Sequence, residues 1–296
     1  QRRGYNSLEN IVKQFNCRVL QSDTTDVEEI FYLTRIAAGL AHENQTPVFL
    51  SLKYYRYLEH VGVNNDFSVG YRSKDEFTRW LQRDPLTLQA NRLINQGSRK
   101  ELNESEVKSI MQIVSSVKFA KKSPFPKPAS LYDNVYKEGI KTSTEAPAAS
   151  DRTLTYVEAI NEAISQEMAR DERVFVYGLD VGDHKASYGS VAGFKELFPD
   201  RCFSTPLSED ALMGFGLGAA LNGLKPINIH IRVDFLLLAM NQLINMISCA
   251  RYGSNGKLKV PLVIRAVIGR GWGQGFQHSK SLHSIFAHIP GLKVIM

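Results

Sequence analysis

Glu209 opens a segment of small residues, and a carboxylate in the first turn of a helix favours the positive end of its dipole. That role alone does not account for the glycines behind it. Gly214-Phe-Gly-Leu-Gly-Ala-Ala-Leu-Asn-Gly223 puts Gly214 and Gly218 one turn apart, so one helix face has almost no side chains. A neighbouring helix or a cofactor must approach it closely. The helix is the favoured occupant, because no strand leads directly into these glycines as a dinucleotide fingerprint requires. His278 follows Gly269-Arg-Gly-Trp-Gly-Gln-Gly275, a glycine-dense loop behind an apolar strand. In open α/β sheets ligands bind at that end of the strands, and a loop histidine there can move protons near neutral pH. His60 has the same placement after its own strand. Taken alone, each histidine serves equally as a surface residue or a site residue. His278, His283 and His288 recur at intervals of five, on no common helical face, and make a poor metal site.

Strands alternating with helices must position these residues, which predicts the α/β class. Residues 17–21 read as a short strand, Thr25-Asp-Val-Glu28 as a capping box that opens a helix, and Pro47 to Tyr55 as a central strand. An irregular loop over 56–72 carries His60. Ser73-Lys-Asp-Glu76 caps a short helix with Phe77 and Trp80, Asp84-Pro85 starts another that Gly97 stops, and Asn103 opens a long one to about Ala120. From 121 to 150 prolines lie among Ser, Thr, Lys and Glu, the texture of a linker. A second unit then starts at the capping box Thr155-Tyr-Val-Glu158, whose helix presents Val157, Ile160, Ile164 and Met168 on one face. Val174–Tyr177 and Pro226–Ile231 are strands. Residues 235–251 form a helix, and Val260–Ile268 a buried strand.

The 296 residues carry 43% apolar, 10% aromatic and 22% charged side chains, a globular balance that excludes disorder and fibrous repeats. The net charge of +6 invites a nucleic-acid partner, yet residues 1–150 hold 21 basic against 17 acidic groups and residues 151–296 hold 15 against 13. The one basic cluster, Lys118 to Lys127, sits beside prolines with no aromatic ladder, so a solvated linker explains it better and no nucleic acid is expected. Cys17, Cys202 and Cys249 form no pair of metal-ligand or disulfide spacing, which suits a reducing, cytoplasmic compartment. The longest apolar stretch, Phe235 to Ala250, holds Asn241, Gln242 and Asn245 and is about 16 residues long, too short and too polar to span a bilayer. No signal peptide is visible. The chain opens on Gln1 and stops inside Leu292 to Met296, which reads as an unfinished strand, so a fragment of a longer chain is expected.

With these motifs in place, residues 153–296 resemble the amino-terminal, pyrimidine-binding domain of the beta subunit of thiamine-diphosphate-dependent 2-oxo acid dehydrogenases. The runs that carry the likeness are Gly178-Leu-Asp-Val-Gly182, Thr205-Pro-Leu-Ser-Glu209, Gly214 to Pro226, Asp234-Phe235, Val260 to Arg265, Gln277-His-Ser279 and Ala287 to Val294. Residues 1–135 resemble the carboxy-terminal part of the alpha subunit through Tyr55-Arg-Tyr57, His60, Tyr71-Arg72 with Glu76, and Asp84-Pro85. The resemblance implies a fused alpha–beta type of decarboxylating component. Its domains would be the end of a diphosphate-binding domain over 1–120, a join over 121–150 and a truncated pyrimidine-binding domain over 151–296. Both would be parallel sheets flanked by helices.

Carried over residue by residue, Glu209 matches the glutamate that hydrogen-bonds a ring nitrogen of the aminopyrimidine and favours the imino tautomer that removes the thiazolium proton. Phe235 matches the aromatic residue stacked on the pyrimidine. His278 and His60 match two active-site histidines that handle protons and help pass the acyl group to a lipoyl arm. The implied cofactors are thiamine diphosphate and magnesium, and the implied partners are a 2-oxo acid, the lipoyl domain of an acyltransferase and further copies of the chain. The family's Gly-Asp-Gly and Asn-Asn magnesium motif is absent from these residues, and the resemblance places it before Gln1. Leu179, Leu58, Val61 and Ile229 depart from the family pattern. Transketolase-type two-carbon transfer and a non-catalytic assembly domain are the alternative readings. Whether the acid is pyruvate or a branched-chain 2-oxo acid is left open.

Overall fold

The structure, a computed structural model, describes residues 4–137, 152–183, 186–269 and 273–296. The chain divides into two units, Gln1–Pro124 and Phe125–Met296. Residues 138–150 of the expected linker lie outside the described residues.

The first unit runs α1 (Leu8–Val12), β1 (Arg18–Ser22), α2 (Val27–Asn44), β2 (Val48–Leu52), α3 (Lys74–Leu81), α4 (Pro85–Asn95) and α5 (Arg99–Lys122). β1 and β2 pair in parallel, Arg18 opposite Val48 and Ser22 opposite Leu52. The cap of α2 is Asp26, and the threonine of the expected box plays no part: the Asp26 carboxylate accepts from the N–H groups of Glu28 and Glu29 and also binds Arg92. A charged acceptor outcompetes a hydroxyl there. α3 and α4 start at Ser73 and Asp84, with Pro85 in the first turn. α5 starts at Ser98, five residues before the expected Asn103. Gly97, at φ 90°, reverses the chain while its N–H and that of Ser98 bond back to Ile94 and Leu93, so the next helix begins with no connecting loop.

The second unit runs α6 (Tyr156–Arg170), β3 (Val174–Gly178), α7 (Phe194–Leu197), β4 (Cys202–Ser204), α8 (Glu209–Leu221), β5 (Lys225–His230), α9 (Val233–Leu236), α10 (Ser248–Gly253), β6 (Val263–Ala266) and α11 (His283–Ala287). Its sheet is wholly parallel in the order β4-β3-β5-β6. Both faces are covered, which is why Val174 to Tyr177 reads as an unbroken apolar run. One face packs Val174, Val176, Ile227 and Ile229 against Met168 and Phe194. The other carries a core of Met213 from α8, Val233 and Leu236 from α9, and Ala239, Leu243 and Phe286. The Thr155 capping box forms as expected, with reciprocal bonds to Glu158.

At the amino-terminal edge of this sheet Asp171 gathers the strand starts. Its carboxylate accepts from Arg173 N–H at 2.9 Å and pairs with the Arg173 guanidinium and Lys225 Nζ, each at 2.7 Å. The side-chain bonds from Arg173 and Lys225 hold it far below the usual carboxylate range.

Three expectations change. The helix over 235–251 is broken: Val233–Ala239 and Gln242–Gly253 meet at 65°, through a 3-10 turn at Leu237–Ala239 and a π-helical turn at Gln242–Ile247. Val233, Leu236 and Ala239 all face the core at a spacing of three, which a 3-10 turn satisfies. β6 is shorter than Val260–Ile268 and lies at the sheet edge with Val263 55% exposed. Pro261 before it has no N–H to give a ladder. The sparse helix face also differs. Gly218 has open space around it and Gly214 only the tip of Gln242, whereas Gly216 is where something comes close. A Cβ there would collide with the hydroxyl of Tyr177, which is fully buried and donates to Leu212 C=O at 3.0 Å, and would stand 3.2 Å from Leu262 Cδ1.

Gly216→Ala should therefore lose about 1–3 kcal/mol to overpacking, lowering Tm by roughly 2–4 °C per kcal/mol. Gly218→Ala should gain up to about 1 kcal/mol of helix propensity. Thermal melts of the two variants check the contrast, and equal melting temperatures would contradict it.

Candidate active site

Parallel pairing sends every strand of the second unit to the same edge, and the loops there carry the candidate residues. Glu209 begins α8, five residues after β4 ends. Phe235 lies in α9, directly after β5, and His278 lies in the loop after β6. The strand order reverses between β3 and β5, the place where such sheets form a ligand crevice.

The structure brings Phe235 and His278 together. Their ring centroids are 5.2 Å apart at 70°, an edge-to-face contact, with Phe235 37% exposed. His278 ends a short turn, Phe276–His278, and its Nδ1 is buried with no hydrogen-bond partner among the described residues. Asp234, next to Phe235, accepts at Oδ1 from Lys280 Nζ at 3.1 Å and from Lys280 N–H at 3.4 Å. Burial opposes the Asp234 charge, but these bonds outweigh it and hold the carboxyl below its ordinary range. Arg232 reaches Gly269 C=O with Nη2 and stands 3.8 Å from Asp234 Oδ2 with Nε. Arg232 also bonds the Tyr188 hydroxyl in the loop after β3; burial raises the Tyr188 pKa and this partner works against the rise.

Glu209 is half-buried, and its carboxylate has no hydrogen-bond or ionic partner among the described residues. Met213, one turn further along α8, shares a core with Val233 and Leu236 on either side of Phe235. Gln242 reaches Asp210 at 3.5 Å, a second tie between the start of α8 and the bent helix.

His60 belongs to the first unit, exposed in the loop after β2. Asp66, 5% exposed, is the anchor of that loop. The Tyr71 hydroxyl donates to it, and Arg56 and Arg72 pair with it. The Tyr71 bond leads in holding Asp66 below the usual carboxylate range against burial, and Arg72 adds to it. Arg72 also lies over the Tyr55 ring at 5.1 Å and donates to the carbonyls of Arg56 and Leu58, two residues before His60. The Tyr55, Tyr57, Tyr71 and Arg72 motif therefore shapes the approach to His60.

Sequence reasoning missed Arg232, Lys280 and His230. An Arg-x-Asp run just after a strand was a legible signal for Arg232, whereas no local pattern marks Lys280. His230 ends β5, 6% exposed, and its Nε2 has no partner among the described residues. Burial pushes its pKa down to about 4. Among the described residues no group of three His, Cys, Asp or Glu could hold a metal ion, and no single helix is long and apolar enough to cross a membrane.

The family described as "Transketolase, pyrimidine binding domain" matches residues 152–296, and "Dehydrogenase E1 component" matches residues 3–129. The two halves of the chain are thus similar to different parts of the same kind of enzyme, the second to a transketolase-type pyrimidine-binding domain and the first to a dehydrogenase E1 component. The chain is 43% identical over 144 residues to "2-oxoisovalerate dehydrogenase subunit beta" of Bacillus subtilis (strain 168), covering 48% of this chain and 44% of that protein. It is 40% identical over 160 residues to "Pyruvate dehydrogenase E1 component subunit beta-4, chloroplastic" of Oryza sativa subsp. japonica, covering 52% and 40%. The corresponding beta subunit of Chaetosphaeridium globosum is 42% identical over 139 residues, covering 47% and 43%. The chain thus spans less than half the length of these E1 relatives. A solved structure titled "Split gene transketolase, inactive beta4 tetramer" aligns at TM-score 0.36 and 22% identity, over 45% of this chain and 39% of that one.

His230 sets a pH dependence at the site edge. Its folded pKa is depressed from 6.5 to about 4, so the unfolded chain binds the extra proton first. The stability it allows is whole above about pH 6.5 and is lost as pH falls towards 4, a loss of about 3 kcal/mol. His230→Gln, which cannot take the charge, should flatten that slope in urea titrations across the window. An unchanged slope would show that His230 is not the group responsible.

Proposed function

We propose that this chain supplies the pyrimidine side of an active site that oxidatively decarboxylates a 2-oxo acid, of the pyruvate or branched-chain class, with transfer of the acyl group to lipoamide. The observation that carries it is the Phe235–His278 contact, on the sheet edge where α8 begins with the unpartnered Glu209. The E1 match over residues 3–129 favours a dehydrogenase over two-carbon transfer between sugars.

The residues present fit the aminopyrimidine end of thiamine diphosphate. An unpartnered carboxylate, a partly exposed aromatic ring and a buried, unpartnered imidazole nitrogen are the complement that a flat, polar heterocycle needs. When bound, the cofactor supplies the carbanion chemistry. Glu209 would accept a hydrogen bond from a ring N–H of that heterocycle and offset its positive charge. Phe235 offers a face that fixes the ring's plane. His278 holds or moves a proton beside it. His60 takes part in handing on the acyl group, a role that rests on the resemblance of its loop. Magnesium and the diphosphate would be held by the family's spaced motif, Gly-Asp-Gly followed by Asn-Asn, and no Gly-Asp-Gly occurs in these 296 positions. A lipoyl domain and further copies of the chain are the partners this reading requires, and a reducing, cytoplasmic setting fits the free cysteines.

Glu209→Gln in the assembled enzyme tests the centre of this reading. Glutamine keeps the size but not the charge, so stability should change by no more than about 0.3–1 kcal/mol. Exchange of the thiazolium C2 proton should slow about a hundredfold or more. A wild-type exchange rate would reduce Glu209 to a helix-start residue.

A further inference from the structure

We propose that the Asp234–Lys280 ion pair is a latch that holds His278 edge-on to Phe235, which makes Asp234 and Lys280 positioning residues for the site. This deepens the reading above and rests on His278 belonging to that site. The loop after β6 has little regular structure of its own, with only the turn Phe276–His278 among its described residues. Something outside it must fix the imidazole.

The ties all converge on one short stretch of chain. Gly269 N–H donates to Lys280 C=O at 2.8 Å, which closes the loop at its base. The Arg232 guanidinium donates to Gly269 C=O. Lys280 then reaches two ways with one ammonium, to Asp234 Oδ1 at 3.1 Å and to Phe276 C=O at 3.0 Å. His278 lies between Phe276 and Lys280, so both sides of its turn are held. Arg232 and Asp234 immediately precede Phe235, so the residues that place the aromatic ring also place the histidine that touches it.

The pair is strong enough for this task because it is unequal. The Asp234 side chain is 2% exposed while that of Lys280 is 41% exposed. Removing the lysine side chain takes away the closest charged donor to a buried carboxylate, which is costly. It leaves that carboxylate the backbone N–H of residue 280 at 3.4 Å and Arg232 Nε at 3.8 Å, and it also frees the loop from its tie to Asp234. Among the described residues nothing else holds His278 sideways: its ring partner there is Phe235, and its buried Nδ1 has no hydrogen bond.

Imidazole NMR of the chain tests the latch without cofactor or turnover. The His278 ring signals, assigned by loss in His278→Asn, should be displaced by the Phe235 ring current, and Phe235→Leu should abolish that displacement. Lys280→Met and Asp234→Asn should each lose most of it, while Lys280→Arg keeps it and the His42 and His60 signals of the other unit stay put. Should Asp234→Asn fail to fold, Lys280→Met decides alone, since its charged head is partly in water. A His278 signal unmoved in folded Lys280→Met would overturn the latch. That result would leave the proposed function standing, because Glu209→Gln and proton exchange test it separately. A movement shared by all the histidines would mean general loosening, and would also overturn it.

Discussion

Parallel pairing of four strands is the constraint on which the second unit depends. A parallel strand can be reached only by a crossover, so every strand leaves the sheet at the same edge and every connecting loop begins there. β4, β5 and β6 deliver Glu209, Phe235 and His278 to that edge although the residues are 26 and 43 positions apart. The crossovers also decide which face is covered. α8 lies on the sheet with Gly216 over the Tyr177 hydroxyl, where a side chain would collide.

The polar groups beneath this edge are unusually well buried for a globular domain. Arg232, Asp234, Asn228 and His230 are all largely withdrawn from water. Burying such groups costs stability unless they are paired. Asp234 and Arg232 recover part of that cost through Lys280, Gly269 and Tyr188, whereas Asn228 Oδ1 and His230 Nε2 do not find a partner among the described residues. Buried polar networks of this kind fix one loop arrangement over its competitors, at some expense in stability. The first unit repeats the device with Asp66, whose charge organises Arg56, Tyr71 and Arg72 below His60.

Local chemistry made much of this legible in advance. The Thr155 box, the Asp84-Pro85 start and the apolar run of β3 each obey rules that act within a few residues. What escaped depends on partners distant in sequence. Asp26 replaces the threonine cap partly because Arg92, 66 residues away, stabilises its charge. Gly216 rather than Gly214 or Gly218 meets a neighbour because Tyr177 happens to point at it from β3. The bend after Phe235 was hidden by leucines on every side, which leave no period to read. Of the site, the glutamate, the aromatic ring and the glycine-rich loop were visible as a resemblance. The lysine that ties that loop down was not, since nothing in a single sequence links position 234 to position 280.

The Asp171 clamp gives the sheet two edges that respond to acid at different points. His230, at the carboxy-terminal edge, becomes unfavourable once pH drops below its unfolded value of 6.5. Asp171, at the opposite edge, keeps its charge well below the ordinary aspartate value of 3.8, so its grip on Arg173 and Lys225 begins to weaken only after the His230 contribution is spent. Acidification therefore works on the molecule in order. The stability that depends on the carboxy-terminal rim is spent first, and that of the strand starts only afterwards.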